Sequence, residues 1–287
     1  MPSLDVSLRA EVEVGRALPG CGIAAAMDPA ETEVASESRA TLVDLLLGLA
    51  GDVQVGDFGV HLAVALFDEE RLAAARGAGG GVEPDLAAVV CLKMADAFDE
   101  HSQEYYQRER TSVYYHAMRH RWPLAALLEA EKRVGQAIGF RVHRPTAMWF
   151  LRACAHAGGA ELLTAPGVVR MARYIAELCL LDAELQRQPA ALRAQVALLI
   201  ALHTAASAEA ADRLWRPVQR ATCGRNSKEL AALCLSRTTH VLRTKRQQWA
   251  AKGLHAVERR HAQAARLLPP SCGLPAGLLG ALLPAEG

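Results

Sequence analysis

The chain has 287 residues, 51% of them hydrophobic and only 5% aromatic, with a formal net charge of +1. That length suits one large or two ordinary domains with a sizeable core. A charge so close to zero gives no global attraction to nucleic acid or to a membrane surface.

Ala and Leu are abundant, which favours helices over sheets. No run of 18 apolar residues is present, so no membrane span is expected. The N-terminus lacks a basic start followed by an apolar core, so no secretory signal is expected. The seven cysteines form no CxxC pair. Cys91, Cys154, Cys179 and Cys234 lie in apolar helical runs, where a free thiol behaves as a small hydrophobe. This usage suits a reducing intracellular compartment, nuclear or cytoplasmic.

Residues 1–35 read as a leader with weak periodicity; residues 1–38 hold seven acids and two bases. A helix is predicted from Ser36, because Leu42, Leu45, Leu46 and Leu49 fall at spacings of 0, 3, 4 and 7. Residues 51–56 close it, and 61–72 form a second helix. The glycine-rich stretch 76–82 must be a loop. It lacks the GxxxxGK[ST] pattern and follows a helix, so it is no phosphate cradle. Pro84 suits the first turn of a third helix over 85–98. Residues 99–121 are polar, aromatic and basic.

The next helix, 122–138, is the most informative. Leu124, Leu127, Leu128, Val134 and Ile138 mark one apolar face, and Glu131 falls on it with Gly135 one turn later. An ionised carboxylate there is costly unless paired. Either a partner is buried within this chain, or the face docks another protein that brings the partner; the second alternative guides the functional reading. A turn at Arg144-Pro145-Thr146 opens a second series of helices: 147–156, 168–181, 189–205, 214–221 and 227–246. Two sets of about five helices suggest an internal repeat. A tail from residue 251, rich in Pro and Gly after Pro269-Pro270, follows. Residues 237–266 hold eight Lys or Arg against the single acid Glu258, which reads as a solvated helix and tail or as an anionic-partner patch.

Several segments, in order, resemble a cyclin. SRATLVDLLLGL (residues 38–49) is similar to the first cyclin-box helix, HLAVALFD (61–68) to the second and PDLAAVVCLKMADAFDE (84–100) to the third. EKRVGQAIGFRVHRPTAMWFL (131–151) resembles the fifth helix and its exit. ARYIAELCLLDAEL (172–185), Pro189 and the Trp215/Pro217 pair resemble the second box. KRQQWAAKGLHAV (245–257) looks most like the C-terminal helix of mitotic A/B-type cyclins. The likeness covers residues 36–255.

The resemblance implies an all-α fold of two tandem five-helix cyclin boxes, 36–144 and 145–250, between a leader (1–35) and a C-terminal basic helix and tail (251–287). It implies no catalysis, cofactor or metal. The partner would be a cyclin-dependent protein kinase, bound as a heterodimer through its αC helix, with kinase substrates met indirectly and a role in cell-cycle control. Arg39, Asp68, Leu86 and Glu131 match family positions. Arg39 and Asp68 would pair between the first two helices.

The kinase face would use Glu131, Phe98, Phe140 and Val142. The family's lysine in the third helix is here Ala97, while Lys93 lies four residues earlier, one turn away on the same side. Lys93 would either reach the kinase or simply snorkel at the edge of the core. The family's substrate-docking patch on the first helix is degenerate: its positions read Ser38, Thr41, Leu42 and Leu45, without tryptophan. The alternative is a cyclin-box scaffold that binds a non-kinase partner or, through its basic run, nucleic acid. His116 and His120 share a helix face but lack further fixed ligands for a metal.

Overall fold

The computed structural model describes residues 29–77, 81–99, 104–222, 228–267 and 278. The leader up to residue 28 and most of the tail beyond 267 lie outside the described residues. Every regular element among the described residues is helical, and none of these helices is long and apolar enough to cross a membrane.

The first set comprises α1 (Pro29–Asp52), α2 (Asp57–Ala75), α3 (Pro84–Asp99), α4 (Glu104–Ala117) and α5 (Leu124–Ala137). Its centre is α3, where Leu86 to Leu92 and Ala95 are all buried against α1, α2 and α5. A helix apolar all round must be enclosed by others, which explains this placement. Helix α4 is tied on by polar contacts: Tyr114 donates to Asp96 at 2.9 Å and Arg110 also pairs with Asp96.

A short extended segment, 141–146, leads to the second set. Arg144 grips both carboxylate oxygens of Glu69 in the second half of α2, at 2.8 and 2.7 Å. The Thr146 hydroxyl then caps α6 (Ala147–Ala157) by accepting from the Trp149 amide. There follow α7 (Gly159–Leu163), α8 (Pro166–Leu178), a 3₁₀ turn (Cys179–Leu181), α9 (Ala183–Gln186), α10 (Ala190–Ala205), α11 (Ala208–Thr222) and α12 (Lys228–His240). Here α10 takes the place of α3. Its residues Ala194 to Leu202 are all buried, and α6, α8, α11 and α12 pack around it.

Four expectations need correction. Helix α1 starts at Pro29, seven residues before the predicted Ser36 and inside the expected leader. Helix α11 starts six residues before the predicted Leu214. Its buried stripe is Ala211, Leu214, Trp215 and Val218, and the small Ala211 carries little weight in an apolar pattern. The helix predicted over 168–181 ends at Leu178 in the 3₁₀ turn. Finally, part of the expected tail belongs to the body. After a π-helical turn (Val241–Lys245) come α13 (Arg246–Ala251), α14 (Ala256–Arg260) and α15 (Ala262–Leu267). Ala256 and Val257 of α14 and Ala264 and Ala265 of α15 are buried, with α14 lying on α1 and α15 on α8.

Polar clamps hold the two sets and this C-terminal segment together. Arg39 donates to both oxygens of Asp68 at 2.7 Å and to the Leu180 carbonyl at 2.8 Å, so it joins α1, α2 and the second set. Glu177 of α8 is fully buried and accepts from Arg260 Nε at 2.7 Å, with His261 Nε2 at 3.0 Å. Tyr174 and Arg246 both reach Glu258 at 2.7 Å.

Candidate partner-docking face

Glu131 has its counter-charge inside the chain. Lys93 comes from α3 and meets it with Nζ 2.6 Å from Oε2. The carboxylate and several large apolar side chains nevertheless stay exposed. The Glu131 side chain is 33% exposed, Phe98 is 48% exposed and Phe140 68%; Leu124 and Leu128 are exposed as well. The two alternatives posed by the sequence therefore hold together: the charge is paired internally and the face is uncovered.

The geometry of α5 explains this. Its apolar positions are too many for one seam. Leu127, Ala130, Val134 and Ile138 face the core, whereas Leu124 and Leu128 turn outward beside Glu131. The single apolar face read from the sequence is thus two adjacent faces, one buried and one presented.

Beyond α5 the backbone reverses through two left-handed residues, Gly139 (φ 62°) and Phe140 (φ 55°). This conformation costs a residue with a side chain roughly 1–2 kcal/mol. The Phe140 amide closes the turn on the Gly135 carbonyl at 2.7 Å. The Phe140 ring lies directly over Gly135: a Cβ added there would stand 2.8 Å from Phe140 Cε1. Gly135 is one turn from Glu131, so Leu128, Glu131 and the Phe140 ring form one row. A large aromatic held in a left-handed conformation and exposed is an outlier of the kind found at functional sites.

Phe98 lies beside the exposed His143, ring centroids 5.9 Å apart. Val142 is half-buried and packs on the core, so its share in any docking surface is smaller than expected. Ala97, next to Phe98, adds no charge. On α1, Leu42 is half-buried on the core, Leu45 is half-buried, and Ser38 and Thr41 are exposed. That surface offers no aromatic anchor.

Four members of the basic run are engaged within the chain. Arg237 meets Asp182 at 2.8 Å, Arg246 meets Glu258, Arg260 meets Glu177, and Lys252 pairs with Glu37. The Asp182–Arg237 and Glu37–Lys252 pairs also line a cavity of about 290 Å³ between α1, α9, α12 and α13. Asp57, Glu177 and His261 place one ligand atom each within 4.8 Å of one another. The Arg260 guanidinium stands among them, 2.7 Å from Glu177 and 3.4 Å from Asp57, and fills the place of a cation. Burial pushes the Glu177 carboxyl up, but His261 and Arg260 outweigh it and hold it below the usual range. Nearby, burial drives the His61 imidazole down to about 3. His120 lies past the end of α4 in a left-handed turn (φ 58°), not on the helix face it was expected to share with His116; the two exposed rings meet edge-on with centroids 4.9 Å apart.

The resemblance assigned Glu131, Phe98 and Phe140 to one docking face; the contact of Phe140 with Gly135 was not read from the sequence. The readable signal was a glycine one turn after Glu131, followed by Gly139-Phe140.

Residues 145–264 match the family model described as cyclin, C-terminal domain. A chain of the CAK complex from Chaetomium thermophilum, solved bound to ATP-gamma-S, superposes with a TM-score of 0.52. The alignment covers 93% of the present chain and 83% of that chain at 16% identity, a likeness of fold. No curated protein sequence matches the chain.

Proposed function

We propose that this chain is a cyclin-type regulatory subunit that binds and activates a cyclin-dependent protein kinase. The kinase must hold its αC glutamate against the β3 lysine before phosphoryl transfer can proceed. A rigid helical surface packed on αC favours that arrangement and shifts the kinase toward its active population. In this reading the chain contributes a binding surface and the kinase contributes the catalytic groups. The mitotic-type pattern of residues 245–257 is the reason to place the complex in cell-cycle control.

One observation carries the reading: Phe140, exposed and strained over Gly135, stands in a row with the carboxylate of the Lys93–Glu131 pair. Exposed aromatics around one hydrogen-bonding group form the usual centre of a protein–protein interface. The test is co-elution with purified cyclin-dependent kinase subunits and measurement of kinase activity. A 1:1 complex with raised activity, weakened by Phe140→Ala, supports the proposal. No complex with any of them sinks it.

A second reading draws on Ala97, where the family's lysine is missing: the same face would dock a protein other than a kinase. Complex formation without gain of kinase activity would favour it. The nucleic-acid version has less to stand on, because Arg237, Arg246, Lys252 and Arg260 are already paired.

A further inference from the structure

We infer that Lys93 is a positioning residue, which fixes and neutralises Glu131 without touching the partner, and that the partner supplies the donor for the second Glu131 oxygen. This rests on the docking reading above and specifies how the face recognises what it binds.

The exposures set the division of labour. The Lys93 side chain is only 10% exposed, against 33% for Glu131. Lys93 reaches the carboxylate from beneath, from one turn before Ala97, and spends its ammonium on Oε2 at 2.6 Å. Among the described residues nothing donates to Oε1. A carboxylate has about four acceptor sites, so Oε1 keeps room for a donor from outside.

Two consequences follow for binding. A lone carboxylate covered by an apolar partner would lose its water without compensation. With Lys93 below it, the partner covers a neutral pair instead. The pair also orders two long side chains before the encounter, so less freedom is lost on docking. The partner's matching group must be a donor: a free backbone N–H, as at the first turn of a helix, or a Lys or Arg. A partner presenting a carboxylate at this point is rejected by like charge.

A double-mutant cycle on the full chain, with affinity for the bound kinase subunit read by calorimetry, tests this. Lys93→Met and Glu131→Gln are each expected to weaken binding, by roughly tenfold, an order set by the loss of one charge-assisted contact. In the double variant Lys93→Met should cost nothing further, because its effect passes through Glu131. Lys93→Arg, which keeps the pair, should restore affinity to within about threefold. Equal cost of Lys93→Met on both backgrounds would mean direct contact and overturn the inference, leaving the docking face intact. Glu131→Gln weakening while Lys93→Met does not would overturn it as well. If Lys93→Met, Glu131→Gln and Phe140→Ala all bind normally, the docking reading itself falls. Circular dichroism verifies folding, and Lys93→Leu replaces Lys93→Met if that variant is unfolded.

Discussion

Replacing Gly135 by Ala separates the docking face from the stability of the fold. The new methyl would sit 2.8 Å from Phe140 Cε1 and 3.0 Å from Cδ1, and its nearest neighbours are all atoms of that ring. No backbone blocks it, and the ring is 68% exposed, so the ring can swing into solvent. The helix gains about 0.5–1 kcal/mol from replacing glycine with alanine. The displaced ring forfeits its contact with the helix, a loss of similar size and opposite sign. Urea unfolding should therefore move by less than about 1 kcal/mol. Binding should suffer more, because an aromatic anchor has lost its place; a loss of about 1.4–2 kcal/mol, or roughly ten- to thirtyfold in Kd, is expected. Calorimetry with the bound kinase subunit and urea titration of the free chain measure the two effects. Unfolding earlier by more than about 2 kcal/mol would show that the ring is not free to move. Unchanged affinity would show that its placement over Gly135 has no part in docking.

Other outcomes can be checked separately. His61 is held neutral by burial, with its imidazole at about 3 against an ordinary value of 6.5. The unfolded chain takes up that proton first as the pH falls. Stability present above about 6.5 is therefore lost toward 3, by about 2 kcal/mol between pH 7 and 5. Urea unfolding of His61→Gln should lack that component; an identical pH slope in both proteins would count against it. Arg39→Met removes the bidentate grip on Asp68 and the bond to Leu180, and should destabilise the chain by about 2–3 kcal/mol. That is less than the ~3–5 of a fully buried pair, because Asp68 keeps some water. A thermal midpoint unchanged from wild type would refute the clamp. Filter binding at low salt should show no retention of duplex DNA, and salt-sensitive retention would revive the nucleic-acid reading.

The parts of the fold legible in the sequence are those built from local apolar spacing. Leu42, Leu46 and Leu49 on α1, the unbroken apolar run of α3 and that of α10 define the two helical sets without long-range information. The parts that were not legible depend on partners far along the chain. Residues 256–267 look like a solvated basic tail because their acidic complements are distant in sequence. Arg260 is answered by Glu177, 83 residues earlier, and the Ala256 amide by Asp44. A count of eight bases against one acid over 237–266 is correct as composition and misleading as surface charge, since the neutralising carboxylates come from α1, α8 and the start of α9.

The same distinction governs Glu131. A carboxylate among apolar residues suggested two alternatives, an internal partner or a docking face, as though neutralisation and coverage were one property. They are separate, because a lysine needs only its ammonium at the carboxylate, and its stem can come from the core. Lys93 does this from below, one helical turn before the position where a resemblance would place it, and leaves the upper side of the pair bare. What then marks the face as a binding surface is the cost of Phe140, not the charge. A left-handed phenylalanine, with its ring on a glycine and open to water, gains little for the fold from an arrangement costing roughly 1–2 kcal/mol. Phe140→Gly should relieve that backbone strain and remove the ring. If the ring serves docking, the variant should be no less stable than wild type by urea unfolding while losing kinase affinity. A large loss of stability would show instead that Phe140 is held for the sake of the helix end.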